Sequence, residues 1–197
     1  MVAVIDYDTG NLRSVCNALE RLGASYEVTA DHSRILAASH VLMPGVGEAS
    51  SAMGKLRERG LDTLIPQLTQ PVLGICIGMQ LMCLGSEEGD AQCLDIFSTQ
   101  VRRLAAVPEQ GIKVPHMGWN SLADLRTPLF DGIAPGAFVY FVHSYAADPC
   151  DATIALCNNG ADFSAALHRD NFYGVQFHPE KSGDVGARII DNFLTKI

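Results

Sequence analysis

The chain has 197 residues, which suits one compact domain, and its 48% hydrophobic content is enough for a sizeable core without disulfide or metal staples. Eighteen per cent of the residues are charged, and the formal net charge is −8. That acidic balance argues against a nucleic-acid binder, which uses a basic face to release phosphate counterions, and leaves room only for a local basic patch.

The N-terminus opens directly on the apolar run Val2–Ile5, with no basic leader before it. No apolar segment approaches the roughly 20 residues that span a bilayer. A cytoplasmic protein that contacts no membrane is expected. The six cysteines (16, 76, 83, 93, 150 and 157) show no Cys-x-x-Cys spacing. Neither a metal site nor a redox pair is expected, and most of these thiols read as small buried hydrophobes.

In chain order, Val2 to Asp6 reads as a buried strand. Asn11 reads as the N-cap of a helix whose apolar face is Leu12, Val15, Cys16, Leu19 and Leu22, and Gly23 ends it. Ser25 to Thr29, His40 to Met43 and Pro71 to Ile75 read as further strands. Strands alternating with helical patterns predict a mostly parallel sheet covered on both faces. In the second half, Val101–Leu104, Lys113–Leu122, Phe138–Ala146, Thr153–Cys157, Ser164–Arg169 and Phe172–Phe177 read as strands with short connections. Consecutive strands favour antiparallel pairing. An amphipathic helix from about Val185 to Thr195 closes the chain. The expectation is an α/β sandwich with an added antiparallel portion, residues 1–197 forming one domain.

Within this pattern, Gly74-Ile75-Cys76-Ile77-Gly78 carries the strongest local signal. An apolar strand enters Cys76 and a helix-compatible run, Met79 to Leu84, leaves it. Glycine two residues away on each side fits a sharp strand-to-helix turn that presents a nucleophile. Such a turn lifts the sulfur to the carboxyl end of the sheet, where open α/β folds bind ligands. The backbone N–H of Ile77 would there face a developing oxyanion. A buried cysteine in a glycine-rich turn is the plain alternative.

A cysteine nucleophile needs a base, and His178-Pro179-Glu180 offers one. Residues two apart in extended chain point to one side, and Pro179 keeps His178 extended. His178 could take the thiol proton while Glu180 orients its ring. An ordinary surface turn explains the segment equally well in isolation. Met43-Pro44-Gly45-Val46-Gly47 closes the third strand, and its N–H groups, Val46 or a neighbour, could supply a second oxyanion donor, although Pro-Gly alone fits an ordinary turn equally well.

Together, Pro44–Gly47, Gly74–Gln80 and Gln176–Glu180 occur in the order and at the separations of a known family. The chain resembles the class I, triad-type glutamine amidotransferases over essentially its whole length. Pro115–Asn120, Phe141–Tyr145, His178–Ser182 and the opening Ile5-Asp6-Tyr7 with Gly10-Asn11-Leu12 are similar to the glutaminase subunits of imidazole glycerol phosphate synthases, of histidine biosynthesis. The resemblance implies a flavodoxin-like fold, no cofactor, and hydrolysis of glutamine by Cys76, His178 and Glu180. It implies that Gly45, Gly47 and Gln80 surround bound glutamine and that His143, Ser144 and Tyr145 line the same pocket. It further implies a (β/α)8-barrel cyclase partner, facing Asn11, Trp119 and Asn120, that consumes the ammonia and forms imidazole glycerol phosphate and AICAR. From the residues alone, Trp119, the only tryptophan, reads equally well as an interface anchor or a core residue. After Gly47 the chain reads Glu48-Ala49-Ser50, where many family members have small and aromatic residues. The competing readings are a glutaminase serving a different synthase, a silent regulatory module of the same fold, and a cysteine hydrolase or peptidase.

Overall fold

A computed structural model describes all 197 residues. The elements run β1 (Val2–Ile5), α1 (Leu12–Arg21), β2 (Tyr26–Thr29), α2 (His32–Leu36), β3 (His40–Gly45), α3 (Ala49–Glu58), α4 (Leu61–Leu64), β4 (Val72–Cys76) and α5 (Ile77–Leu81). They continue β5 (Cys83–Ser86), β6 (Ala91–Gln92), β7 (Phe97–Arg103), β8 (His116–Ser121), β9 (Phe138–His143), β10 (Tyr145–Ala147), β11 (Thr153–Asn158), β12 (Asp162–Arg169), β13 (Phe172–Val175) and α6 (Gly183–Lys196). No helix is long and apolar enough to cross a membrane.

The central sheet has seven strands in the order β11-β12-β13-β4-β3-β1-β2. β13, β4, β3, β1 and β2 run parallel, and β11 and β12 add antiparallel at one edge. Alternate residues of the buried strands feed two cores, one per face. Val4, Leu73 and Ile75 pack with Val15, Leu19, Ile189 and Phe193 on the α1–α6 side. Ala3, Ile5, Val41 and Met43 pack with Met53, Leu56 and Leu61 on the α3–α4 side. Burying Val15 and Leu19 completely stabilises the α1 packing by roughly 2 kcal/mol each. This is the expected α/β arrangement with helices on both faces.

Several expectations are corrected. Asn11 does not cap α1 through its side chain. Its φ of 76° is left-handed and its amide is drawn away toward Glu180. The antiparallel portion is not one appendage. Three of its strands join the central sheet, and β13, entered from β12 by a short hairpin, pairs parallel to β4. The strand expected over 138–146 breaks at Ser144 into β9 and β10, which belong to different sheets. The helix after Cys76 ends at Leu81, and Cys83–Ser86 turns into a strand beside β7. At the start of α3, Glu48 acts as the N-cap, accepting from the N–H groups of Ser50 and Ser51.

Candidate active site

Cys76 is the last residue of β4 and stands at φ 55°, ψ −110°. A side-chain-bearing residue in that region costs about 1–3 kcal/mol and persists only where its surroundings enforce it. Here they do. A Cβ on Gly78 would stand 1.8 Å from the carbonyl oxygen of Met43, and one on Gly74 would stand 2.7 Å from the amide nitrogen of Met79. The two glycines let β3, β4 and α5 approach closely enough to force the turn. The expected sharp strand-to-helix turn is therefore present, with Cys76 buried at its apex.

β3 and β4 pair so that Gly45 lies opposite Cys76. That register carries the Pro44–Gly47 segment alongside the sulfur. Val46 and Gly47 join Cys76, Ile77, Gln80, Glu88, Val142, His143, Ser144 and Tyr145 in lining a cavity of about 250 Å³. Gly45 stands outside the cavity wall, packed against Tyr7, Thr9 and Ile77.

β13 lies on the other side of β4, and the chain reaches His178 three residues after the last member of that strand, Val175. The backbone N–H of His178 donates to the Tyr140 carbonyl at 2.9 Å, and its carbonyl accepts from the Ser182 hydroxyl at 2.6 Å. Ser182 also accepts from the N–H of Tyr140, so one hydroxyl ties this segment to β9. His178 is extended, but Glu180 lies in a 3₁₀ turn, Pro179–Lys181, rather than in extended chain. The turn nonetheless folds the carboxylate back onto the ring. His178 Nδ1 donates to Glu180 Oε1 at 2.7 Å, with both side chains fully buried. The carboxylate fixes the tautomer, leaving Nε2 for the sulfur.

Nε2 is buried and forms no hydrogen bond within ordinary reach, yet it is close enough to Cys76 for the two charges to interact. Burial opposes a positive charge on His178. The interactions with the nearby Cys76 sulfur and with the hydrogen-bonded Glu180 carboxylate outweigh it and push the pKa up to about 9. The arrangement favours a protonated imidazole facing the Cys76 sulfur.

Three polar residues around this centre were not given these roles by the sequence. Asn11 donates to Glu180 Oε1 at 2.6 Å, so it supports the carboxylate. Gln176 places its amide nitrogen 3.7 Å from the Cys76 sulfur. Glu88 lines the cavity, and its carboxyl is held above the usual carboxylate range by burial, although the Ala49 N–H donates to it at 3.0 Å. A carboxylate there suits the ammonium of an amino acid. Gln176 opens the Gln176–Glu180 motif, and that position is the signal that could have found it. Glu88 carries no sequence signal, since only tertiary folding brings the segment after β5 to the cavity. Trp119 is 56% exposed and meets Tyr140 edge-on, which rules out the core reading. Asn120 donates to His116 Nε2 and to the Asn158 carbonyl. All six cysteines are free.

A family model described as glutamine amidotransferase class-I matches residues 3–197. The chain is 55% identical over 193 residues to imidazole glycerol phosphate synthase subunit HisH of Bacteroides fragilis, covering 98% of each chain. It is 47% identical over 197 residues to the protein of the same name from Haemophilus influenzae, covering 100% of this chain and 98% of that one. Among solved structures, a glutamine amidotransferase superposes at a TM-score of 0.75 with 16% identity, over 98% of this chain and 97% of that one. PurLQS from Thermotoga maritima superposes at 0.71 with 17% identity, over 99% and 97%. These two likenesses concern the fold, and the sequence relationships concern the family. The chain belongs to the class-I glutamine amidotransferase family.

Proposed function

We propose that this chain is the glutaminase subunit of an imidazole glycerol phosphate synthase, a single domain over residues 1–197 with Cys76, His178 and Glu180 as its triad. The observation that carries the reading is the strained, buried Cys76 beside a histidine whose ring a buried glutamate orients. The relatives that match along nearly their whole length bear that subunit name.

The thiolate of Cys76 attacks the side-chain amide carbon of glutamine. Backbone N–H groups of Ile77 and of Val46 or a neighbour hold the tetrahedral oxyanion. His178 gives the leaving nitrogen a proton, the C–N bond breaks, and ammonia departs from a thioester. Water then loses a proton to His178 and attacks the thioester, releasing glutamate and restoring the thiolate–imidazolium pair. Glu88 holds the ammonium of the substrate, and Gln80, His143, Ser144 and Tyr145 shape the pocket around it. Asn11 steadies Glu180 throughout.

Free ammonia is largely protonated near neutral pH and is then a poor nucleophile. Handing it directly to a second polypeptide prevents that loss. We place a (β/α)8-barrel cyclase against the face that carries Trp119, with Asn11 and Asn120 nearby, and the complex in the cytoplasm. Met117, Trp119 and Phe138 expose apolar surface there, and an aromatic anchor is a common hot spot.

The test is a glutaminase assay of the wild-type chain and Cys76→Ala, each with and without a barrel cyclase and its nucleotide substrate. The expected result is a loss of about 10⁴-fold or more in the variant, the scale seen when a nucleophile is removed. Continued glutamine turnover by Cys76→Ala overturns the assignment. Full activity of the isolated wild-type chain overturns the dependence on a partner.

A further inference from the structure

Beyond the triad, polar side chains and one backbone carbonyl form a continuous line from strand β8 to the sulfur. His143 Nδ1 stands 2.8 Å from the Tyr145 carbonyl, and a carbonyl can only accept. His143 therefore carries its proton on Nδ1. Burial holds the His143 pKa down, to about 3, so the ring is neutral and its Nε2 is an acceptor. His116 Nδ1, 3.0 Å away, must donate to it.

That leaves His116 Nε2 to accept from the amide of Asn120 at 3.2 Å. Asn120 is itself fixed. Its nitrogen donates to the Asn158 carbonyl at 2.8 Å, and its oxygen accepts from the Ser121 N–H at 2.8 Å. The protons on the outer half of the line are thus assigned, and from Asn120 to His116, His143 and the Tyr145 carbonyl each link donates inward. The stacking of His116 on Phe141, with centroids 4.8 Å apart, holds the ring in place.

From the other side, Gln80 Nε2 donates to the same Tyr145 carbonyl at 2.9 Å. With His143, that fills both lone pairs of the oxygen. The same nitrogen donates to Gln176 Oε1 at 2.9 Å. Gln176 must then turn its own nitrogen to the remaining neighbour, the sulfur of Cys76. An inverted amide would set two N–H groups head to head inside the protein and aim an oxygen lone pair at a thiolate. Gln176 has no solvent exposure, so nothing else could satisfy it.

We propose that Gln176 is a catalytic residue that donates a hydrogen bond to the Cys76 thiolate, and that His116 is a positioning residue which fixes that amide through His143, Tyr145 and Gln80. The inference rests on the reading of Cys76 as the nucleophile. A donor to the charged sulfur favours thiolate over thiol, the proton passing to His178. It also aims the sulfur toward the cavity. The outer end of the line is Asn120, next to the exposed Trp119. A rearrangement of β8 would therefore be felt at the nucleophile as a turned amide.

The experiment follows the pH dependence of iodoacetamide alkylation of the full chain, with Cys76→Ala as the background for the other five thiols. Gln176→Met keeps the length of the side chain and removes the donor. It should move the alkylation midpoint of Cys76 to higher pH, with roughly tenfold less thiolate at a given pH, the scale of one hydrogen bond to a charged group. His116→Phe should move it in the same direction by a smaller factor, about threefold. His116→Gln, whose amide can still donate to His143, should restore it. An unchanged midpoint in folded Gln176→Met overturns the catalytic role. An unchanged midpoint in His116→Phe overturns the positioning role, and serves as the test should Gln176→Met not fold. Glutamine turnover by Cys76→Ala would instead overturn the nucleophile reading beneath both.

Discussion

The turn at Cys76 and the β8–β9 hairpin both contribute to the wall of one cavity but are built by opposite rules. In the turn, a strained residue is boxed in by Gly74, Gly78 and the backbone of Met43, with no room for one added methyl group. In the hairpin, Met117, Trp119 and Phe138 are each more than half exposed. The turn must hold one sulfur against its own backbone preference, so its neighbours leave no slack. The hairpin leaves apolar surface uncovered, which suits a face that meets another chain. The contrast places rigidity at the chemistry and incompleteness at the rim.

Three measurements bear on this contrast. The largest effect is expected at the turn. Gly78→Ala forces a Cβ into the Met43 carbonyl and should destabilise the chain by about 4 kcal/mol or prevent folding. Urea unfolding monitored by circular dichroism checks it, and a shift below about 1 kcal/mol would show that the turn can relax.

A smaller effect concerns His178. Its folded pKa, about 9, lies above the ordinary 6.5. A raised histidine pKa means that the folded state holds the proton more tightly than the unfolded chain. The resulting stabilisation is complete below about pH 6.5 and is lost as pH rises through about 9. Wild-type stability should therefore fall across that window more steeply than that of His178→Gln, and parallel curves would overturn the raised pKa of His178.

The smallest effect is expected at the hairpin. Trp119→Ala should change the stability of the isolated chain by no more than about 0.5 kcal/mol, as for an exposed side chain. The same change should weaken association with a barrel cyclase by about 2 kcal/mol or more. Isothermal titration sharpens the contrast if the two numbers separate, and breaks it if they coincide.

Much of the central sheet was legible because several of its strands are short apolar runs. Val2–Ile5 and Val72–Cys76 are buried at every position, and such runs have few other readings. The nucleophile turn was legible because its glycines answer a local steric demand. Sheet membership in the second half was not. Whether β10 joins β9 or β7 depends on pairings between residues more than forty positions apart, such as Ala146 with Arg102. No periodicity encodes that. Asn11 misled because asparagine suits both an N-cap and a left-handed residue, and the carboxylate that captured it lies 169 positions away. His178 and Glu180 met as expected, though through a 3₁₀ turn instead of a strand. The polar line from Asn120 to Cys76 was illegible for the same reason as Glu88: its members come from β8, β9, β10, α5 and the segment after β13.

The parallel pairing of β4 with β13 sets Gly74 against Gly174 and Ile75 against Val175. Cys76 and His178 thus leave neighbouring strands of one backbone ladder, each only a few residues past the last pair. A ladder has no intermediate settings. A slip of one residue would send the histidine to the opposite face of the sheet, and a slip of two would carry it about 7 Å along the strand. The separation of sulfur and imidazole is therefore a discrete quantity, inherited from strand pairing and not adjusted by side chains. The whole excursion of chain between the two strands can lengthen, shorten or change its decoration without retuning that separation, provided that it returns to the same rung.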